Sequence, residues 1–456
     1  MDRHAAAQPR RGDGRRGVRR LAGEPLGPRL GEPVHSFEPS GPHVFLSESR
    51  AALSRHPALK DFAARVTDFL DMHLPEPVTE ESGRPPWLDL RRRAAEAGLT
   101  GFDLACARDA VPLVPPGLER VAQGLAMFLA GRRDCDAREI FSTGHGAMAL
   151  RYGTPLVVQA VRDRVVDGGE LAGVASSEPH SGSDLRGLRT VAVDHGDHLL
   201  LSGTKGLVSR VEEATGFVVF CKVVDPEQAA TRHDGGVWLR EVPLSALWLP
   251  TQTVGVLSET TVPLGLRGWS MGHLHFDNVR VGKDCLLGAP GDGRRIFDTH
   301  FSGWRLMMAL VCLGAATAAI EETMDRARRR SVGRTSLANV PSVVARLGIA
   351  AAEVQAATAW CFSLLERMDQ EGDVDVAACS AAKALATDMA YRAVDIGLQL
   401  HGSEGYTRCV PMEKRLRDIR GLRIADGPND TLYSVLAQSL LAGSGPGVPL
   451  VTQRKP

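Results

Sequence analysis

The octapeptide SEPHSGSD at residues 177–184 marks the point where the character of the chain changes. Before it, over residues 46–170, apolar residues recur at steps of three and four, which predicts amphipathic helices. After it, over residues 171–288, short β-rich runs alternate with Gly, Asp and His turns. The first helical repeat consists of Leu53, Leu59, Phe62, Val66, Phe69 and Leu70.

Helical patterns return beyond Gly291, so that helices flank a central β segment. This order predicts an α+β multidomain protein with an N-terminal helical domain, a small central β domain and a C-terminal four-helix bundle. No GxGxxG motif joins a strand to a helix, which argues against a dinucleotide-binding Rossmann fold. The predicted strands are Val191–Val193, Leu199–Leu201, Phe217–Phe220 and Val237–Leu239, with a hairpin tip at His195–Asp197. The predicted late helices are Trp304–Arg330, Ser342–Met368, Val376–Leu400 and Asn429–Leu441.

The two ends of the chain differ from the predicted domains in their sequence pattern. Residues 1–45 hold repeated arginines among Gly, Pro and Ala without apolar periodicity, which predicts a disordered arm. The bundle is expected over residues 289–445 and a tail over 446–456. No signal-peptide pattern follows the arginines and no apolar run approaches about 18 residues, so we expect a cytoplasmic protein without membrane insertion.

Composition excludes some partners. The 456 residues carry 54 basic and 54 acidic side chains, so the formal net charge is zero and gives no general attraction to nucleic acid. The eight cysteines are scattered without a CxxC pair, which predicts reduced thiols and no metal site.

The layout and the octapeptide together resemble the acyl-CoA dehydrogenase family, whose β domain opens with a T-E-P-x-A-G-S-D turn. The resemblance covers roughly residues 47–445. It implies that the chain binds FAD, with the Ser177 hydroxyl at the pyrimidine edge of the flavin. It also implies that Ser183 contacts the pantetheine or phosphate arm of the thioester. An ordinary turn stabilised by serine is the alternative for the octapeptide taken alone.

A second motif, LSGTKGLVS at residues 201–209, resembles the family's L-N-G-x-K-x-W-I-T strand. The resemblance implies that the Ser209 hydroxyl faces the flavin. Leu207 stands where many members have a tryptophan that shields the flavin, so we expect a more open flavin face here.

Two late motifs resemble the part of the family's FAD site that a neighbouring subunit completes. RRRSVG at residues 328–333 is similar to E-R-x-x-F-G, which implies that Arg329 reaches the pyrophosphate and that Ser331 also lies at the cofactor. QLHGSEGY at residues 399–406 is similar to Q-x-x-G-G-x-G-Y, which assigns Gln399 and Gly402 to the adenosine side. A site shared in this way implies a homodimer or homotetramer. For the arginine triplet alone, a solvated helix end is an equal explanation.

The catalytic base is expected at Asp426. Dehydrogenation requires a carboxylate that takes the α-proton while the β-hydrogen leaves as hydride. One of the two positions that the family uses holds Trp304, beside Arg305, and tryptophan cannot act as a base; we assign both residues to the substrate site. The other position falls within RDIRGLRIADG at residues 417–427 and corresponds to Asp426. The alternative is that Asp426 only caps the helix that begins near Pro428.

The resulting prediction is FAD-dependent α,β-dehydrogenation of an acyl thioester carried by CoA or by an acyl carrier protein. Electrons then pass to a separate acceptor protein. A flavin oxidase or monooxygenase of the nitroalkane- or amine-oxidising type is a second possibility, and a flavin-free, non-catalytic scaffold is a third. The departures at His180, Leu207, Val332 and Pro428 favour a specialised substrate.

Overall fold

Helices occupy both ends of the described part of the chain, and one large mixed sheet lies between them in sequence. The computed structural model describes residues 55–79, 82–102, 113–231, 237–372 and 374–443. The predicted arm (1–45), the tail (446–456) and Leu53 lie outside these residues. The fold class predicted from the sequence is confirmed.

The N-terminal helices bury the apolar stripe that their periodicity predicts. Phe62, Val66 and Leu70 are buried on one face of the first helix, which is the consequence of the three- and four-residue steps. These helices are α1 (Lys60–His73), α2 (Trp87–Glu96), α3 (Glu119–Arg133), α4 (Gly146–Tyr152) and α5 (Pro155–Val161).

The central sheet has seven strands in the order β1-β4-β2-β3-β7-β6, with β5 also paired to β4. β4 is buried along almost its whole length, as expected of a central strand with an unbroken apolar run. The strands are β1 (Leu171–Ala175), β2 (Val191–Asp194), β3 (His198–Ser209), β4 (Ala214–Val224), β5 (Leu244–Pro250), β6 (Val256–Thr261) and β7 (Met271–Gly282). A short helix, α6 (Pro226–Thr231), follows β4.

Three of the four predicted strands are confirmed, and so is the hairpin tip at residues 195–197, where Gly196 has a φ of 93°. The prediction of a strand at Val237–Leu239 is wrong. This segment is a 3-10 turn, Val237–Arg240, because its backbone closes local bonds, such as the one from the Glu241 amide to the Trp238 carbonyl (3.1 Å).

The C-terminal bundle contains the long helices that the sequence predicts. Arg305 lies beside Ser380 and Arg326 bonds the His401 carbonyl, so that α7 and α9 run parallel. The helices are α7 (Gly293–Arg329), α8 (Pro341–Glu371), α9 (Val376–His401), α10 (Met412–Leu422) and α11 (Asn429–Leu441), and a two-stranded ribbon, β8 (Ser331–Val332) and β9 (Thr335–Ser336), separates α7 from α8. The sequence analysis predicted that α7 begins at Trp304. The helix begins eleven residues earlier, at Gly293.

Glycines allow α3 to pack closely on α7. A Cβ at Gly131 would lie 2.2 Å from the Val311 carbonyl oxygen, and one at Gly314 would lie 2.1 Å from that of Phe128. The two backbones therefore meet without side chains between them, and this contact joins the N-terminal helices to the bundle.

Two helices, α7 and α8, are long and apolar enough to cross a membrane by length and composition, contrary to the expectation that no stretch approaches that length. The apolar window of α7 is 100% buried inside the fold. Burial of this kind is typical of the central helix of a globular domain.

Candidate active site

The turn at residues 177–184 is held against β3 by a buried ion pair. The Glu178 carboxylate lies 2.8 Å from the Lys205 ammonium and also accepts bonds from the Thr190 hydroxyl (2.6 Å) and the Arg189 amide (2.7 Å). Burial acts to raise the pKa of Glu178, but Lys205 and these donors leave it lowered, so the carboxylate is ionised. The sequence analysis quoted Glu178 within its motif without assigning it a role.

Ser177 and Ser209 lie at the same edge of the sheet. The Ser177 carbonyl accepts a hydrogen bond from the Gly206 amide (2.9 Å), three residues before Ser209 at the end of β3. The ladder between β3 and β7 is irregular between Lys205 and Val208. Leu207 within this irregularity has a φ of 53° and is 62% exposed, so no large ring covers the sheet edge at this position.

Asp426 lies in the loop between α10 and α11. Pro428 occupies the N-cap position of α11, and no side chain caps that helix, so the interpretation of Asp426 as a helix cap is wrong. The backbone of Asp426 is in the left-handed region (φ 57°), a conformation that aspartate tolerates better than most residues. Strained backbone of this kind concentrates at functional sites.

Two buried cations from the parallel helices hold this loop. The Arg305 Nε donates to the Asp426 carbonyl (2.9 Å), and its Nη1 lies 3.2 Å from the Ser380 hydroxyl. The Lys383 ammonium donates to the Gly427 carbonyl (2.9 Å). The main chain at the predicted base is therefore fixed from both α7 and α9.

The Asp426 carboxyl combines desolvation with nearby positive charge. Burial raises its pKa, whereas the charges of Lys383 and Arg305 in the bundle, and of Arg210 and Arg138 outside it, act to lower it. The effect of burial prevails and the pKa of Asp426 is raised, so the carboxylate is a stronger base than an ordinary aspartate. Arg210 directly follows Ser209, so its charge acts on Asp426 from the end of β3.

Arg210 and Arg138 reach this site from a buried ionic cluster that the sequence analysis did not identify. Both guanidinium groups pair with Glu139, and Arg138 also pairs with Asp136 (3.1 Å). Asp136, Arg138 and Glu139 are neighbours in sequence, whereas Arg210 is 71 residues from Glu139, so only the fold brings Arg210 to the cluster.

Trp304 packs in an aromatic cluster instead of offering a base. Its ring centroid lies 4.8 Å from that of His145 and 5.9 Å from that of His300. The two imidazoles are joined through ring nitrogens 2.9 Å apart, and burial lowers the pKa of His300 to about 3. The cluster is therefore uncharged at neutral pH.

The residues predicted to complete a neighbour's FAD site lie at the opposite end of the bundle. Arg329, Ser331, Gln399 and Gly402 are all exposed. The hydrogen bond from Arg326 to the His401 carbonyl (2.9 Å) joins the C-terminal ends of α7 and α9, where these residues lie. From Arg305 to Arg326, α7 advances roughly 30 Å at 1.5 Å per residue, so one chain does not bring these residues to Asp426. Ser183 is exposed on the turn after β1.

Three buried carboxylates come together near α10 at Asp134, Asp136 and Asp418, a grouping that suits a cation. The Lys414 ammonium already lies among them, 2.6 Å from Asp134 and 2.8 Å from Asp418. This cluster fastens α10 to the N-terminal part of the chain, and Asp418 also accepts the Leu266 amide (2.6 Å).

Comparisons with known proteins agree with this geometry. Residues 291–441 match the sequence model of the acyl-CoA dehydrogenase C-terminal domain, and residues 173–279 match that of its middle domain. An acyl-CoA dehydrogenase of Bacillus subtilis (strain 168) is 28% identical over 329 residues, which cover 72% of this chain and 81% of that protein.

Solved structures share the fold. A glutaryl-coenzyme A dehydrogenase in complex with glutaryl-CoA superposes with a TM-score of 0.75 at 20% identity, covering 87% of this chain and 98% of the other. A prolyl acyl carrier protein oxidase superposes with a TM-score of 0.69 at 18% identity, covering 88% of this chain and 100% of the other.

Proposed function

Because this chain belongs to the acyl-CoA dehydrogenase family, we propose that it is an FAD-dependent enzyme that oxidises the α,β-carbon pair of an acyl thioester. The observation that carries the proposal is the environment of Asp426. Arg305 holds its main chain (2.9 Å), burial raises the pKa of its carboxyl, and the charge of Arg210 acts on it from the end of β3. A base of raised pKa is what α-proton removal requires, and we propose that the flavin edge lies beside it.

In this proposal Asp426 takes the α-proton, and the residues around it hold it in place. Arg305 and the left-handed backbone direct the carboxyl, while the uncharged cluster of Trp304, His145 and His300 adjoins Arg305. Because this cluster carries no charge, it does not offset the desolvation that keeps the carboxyl a strong base. We assign Trp304 and Arg305 to the substrate side of this site.

The residues at the sheet edge suit a flavin. Ser177 and Ser209 present hydroxyls near the turn that Glu178 and Lys205 fix, and backbone amides accompany them. FAD supplies the acceptor for the β-hydrogen. The exposed Arg329, Ser331, Gln399 and Gly402 are proposed to bind the FAD of a second subunit, so the active form is a homodimer or homotetramer. Exposed apolar side chains on α8, Val344 (53%) and Ile349 (59%), support association between copies.

The carrier of the acyl group is CoA or an acyl carrier protein, and we propose that exposed Ser183 meets its phosphopantetheine arm. Reduced flavin then passes electrons to a separate acceptor protein. A cytoplasmic location is part of the proposal, supported by the seven described cysteines, which are all free.

A flavin oxidase is the second candidate, and Leu207 is the observation that favours it. Its 62% exposure leaves the sheet edge beside Ser209 without the large ring that covers it in many relatives, so oxygen has easier access. Rapid reoxidation of the reduced protein by air distinguishes this activity from transfer to an acceptor protein.

An anaerobic screen of thioesters tests the proposal. The purified protein is expected to be yellow, to release FAD on acid extraction, and to lose its flavin absorbance with a subset of acyl-CoA or acyl carrier protein thioesters. Recovery of FMN, of no flavin after reconstitution, or of a flavin that no thioester bleaches contradicts it.

A further inference from the structure

Lys383 is a fully buried lysine in the N-terminal third of α9, and its neighbours along the helix are mostly alanine. Its ammonium donates to the Gly427 carbonyl (2.9 Å) and lies 3.2 Å from the Asn429 side-chain oxygen. A lysine is seldom fully buried unless its charge is used, since desolvation of an ammonium is costly. Both bonds go to the loop that carries Asp426.

The bonds of Lys383 complete a clamp on that loop. Arg305 holds the carbonyl of Asp426, and Lys383 holds the carbonyl of the next residue, Gly427, whose φ is 109°. Asn429 fixes the far end by donating to the Ala384 carbonyl (3.1 Å) and to the Asp388 carboxylate (2.9 Å). The carbonyl groups of two consecutive residues with positive φ are thus bonded by two cations, one from α7 and one from α9.

We propose that Lys383 is a positioning residue for Asp426: it fixes the peptide that follows the base, and its positive charge favours the ionised carboxylate. This inference rests on the proposed role of Asp426.

The charges around the pair determine the expected pH dependence. Asp426 faces Lys383 and Arg305 from the bundle, and Arg210 and Arg138 from outside it. Burial lowers the pKa of Lys383 to about 8, while Asp426, Cys312 and Asp388 act to raise it and Arg305 acts to lower it. Below that pH the ammonium is charged and lowers the pKa of Asp426. Because proton removal needs the ionised carboxylate, loss of this charge must move the acid limb of the rate profile to higher pH.

Two substitutions separate the charge of Lys383 from its hydrogen bond. Lys383→Met removes both, whereas Lys383→Gln removes the charge but keeps an N–H donor at the end of a side chain that is one bond shorter. Lys222→Met is the matched control, since Lys222 is equally buried, donates to a carbonyl (Val242, 2.7 Å) and is not among the charges that act on Asp426.

The experiment measures anaerobic flavin reduction against pH in the FAD-loaded full chain, with the thioester that bleaches the wild type fastest. Both Lys383 variants are expected to move the acid limb to higher pH. The rate at a fixed low pH should fall about tenfold for every pH unit by which the limb moves. Lys383→Met is also expected to lower the plateau rate by at least about tenfold through misplacement of the base. Lys222→Met should leave the limb where it is.

An unchanged acid limb in Lys383→Gln overturns the inference, even if Lys383→Met does not fold. Asp426→Asn, measured in parallel, separates this failure from that of the proposed function. If Asp426→Asn reduces its flavin normally, the role of Asp426 is wrong. If it is impaired while the limb of Lys383→Gln stays unchanged, only the role of Lys383 is wrong.

Discussion

The polar side chains at the two ends of the parallel helices α7 and α9 differ in burial. At one end Arg305 and Lys383 are buried and bonded to the loop of Asp426. At the other end Arg329 and Gln399 are exposed to solvent. Buried charges must be satisfied within the chain, whereas exposed ones can also meet a ligand or a second copy. In our proposal the same helix pair positions the base at one end and contributes to a neighbour's FAD site at the other.

The largest effect is expected at the buried end. Asp426→Asn should lower the rate of flavin reduction by about 10² to 10⁴-fold, the usual contribution of a general base. FAD content should be unchanged, because the amide keeps the shape of the carboxyl group and Asp426 is not among the residues proposed to bind FAD. Stopped-flow reduction under anaerobic conditions measures the rate.

The same variant makes a prediction about stability. Folding raises the pKa of Asp426, so its contribution to stability is present at low pH and is lost as the pH rises through the folded pKa. Asp426→Asn should therefore melt no lower than the wild type at pH 7 by calorimetry. A clear fall in melting temperature would indicate a structural role for the carboxylate.

The exposed end should show the opposite behaviour. Arg329→Ala removes a charged, bidentate partner for a pyrophosphate, worth roughly 1.5 to 3 kcal/mol, so FAD affinity should fall by about 10- to 150-fold. Arg328→Ala is the matched control, because Arg328 is also exposed and pairs with Asp325 (2.8 Å) in its own helix. Equilibrium dialysis with FAD and light scattering check the result. A monomer with full FAD occupancy, or equal losses in both variants, contradicts the assignment.

A smaller effect is expected from Asp426→Glu, which keeps the carboxylate but lengthens its reach by about 1.5 Å. A misplacement of about 1 Å can lower the rate of a catalysed step by ~10²-fold. The left-handed backbone also tolerates glutamate less well than aspartate. Measurable activity, below that of the wild type and with a changed preference for acyl length, is the expected outcome. Asp430→Glu, at an exposed position in the first turn of α11, is the control that should change neither property.

The sequence predicted most of the fold because the relevant signals are local. The apolar steps of α1 and the turn at residues 195–197 each depend on a few neighbouring residues. The prediction of a strand at Val237–Leu239 was wrong because a three-residue apolar run fits a turn as well as a strand. The short helix α10 was not predicted, although its apolar residues Met412, Leu416, Ile419 and Leu422 recur at steps of four and three.

The candidate site was predictable only in part. Motif spacing indicated Asp426, Ser177 and Ser209, but it did not indicate Lys383, which lies in no motif and whose partners are more than forty residues away. The pairing of Glu139 with Arg210 was missed for the same reason, since the two residues are 71 positions apart and only the fold brings them together. The alternative for Asp426, a helix cap, required the structure for its rejection.

Exchange of the α-hydrogen tests the central claim, that Asp426 removes the α-proton, most directly. A thioester whose β-carbon carries no hydrogen can lose its α-proton but cannot be oxidised, so exchange with solvent deuterium reports the base alone. The FAD-loaded wild type should incorporate deuterium at the α-carbon, followed by mass spectrometry, and Asp426→Asn should do so at least about 10²-fold more slowly. Equal exchange by the two proteins would contradict the account.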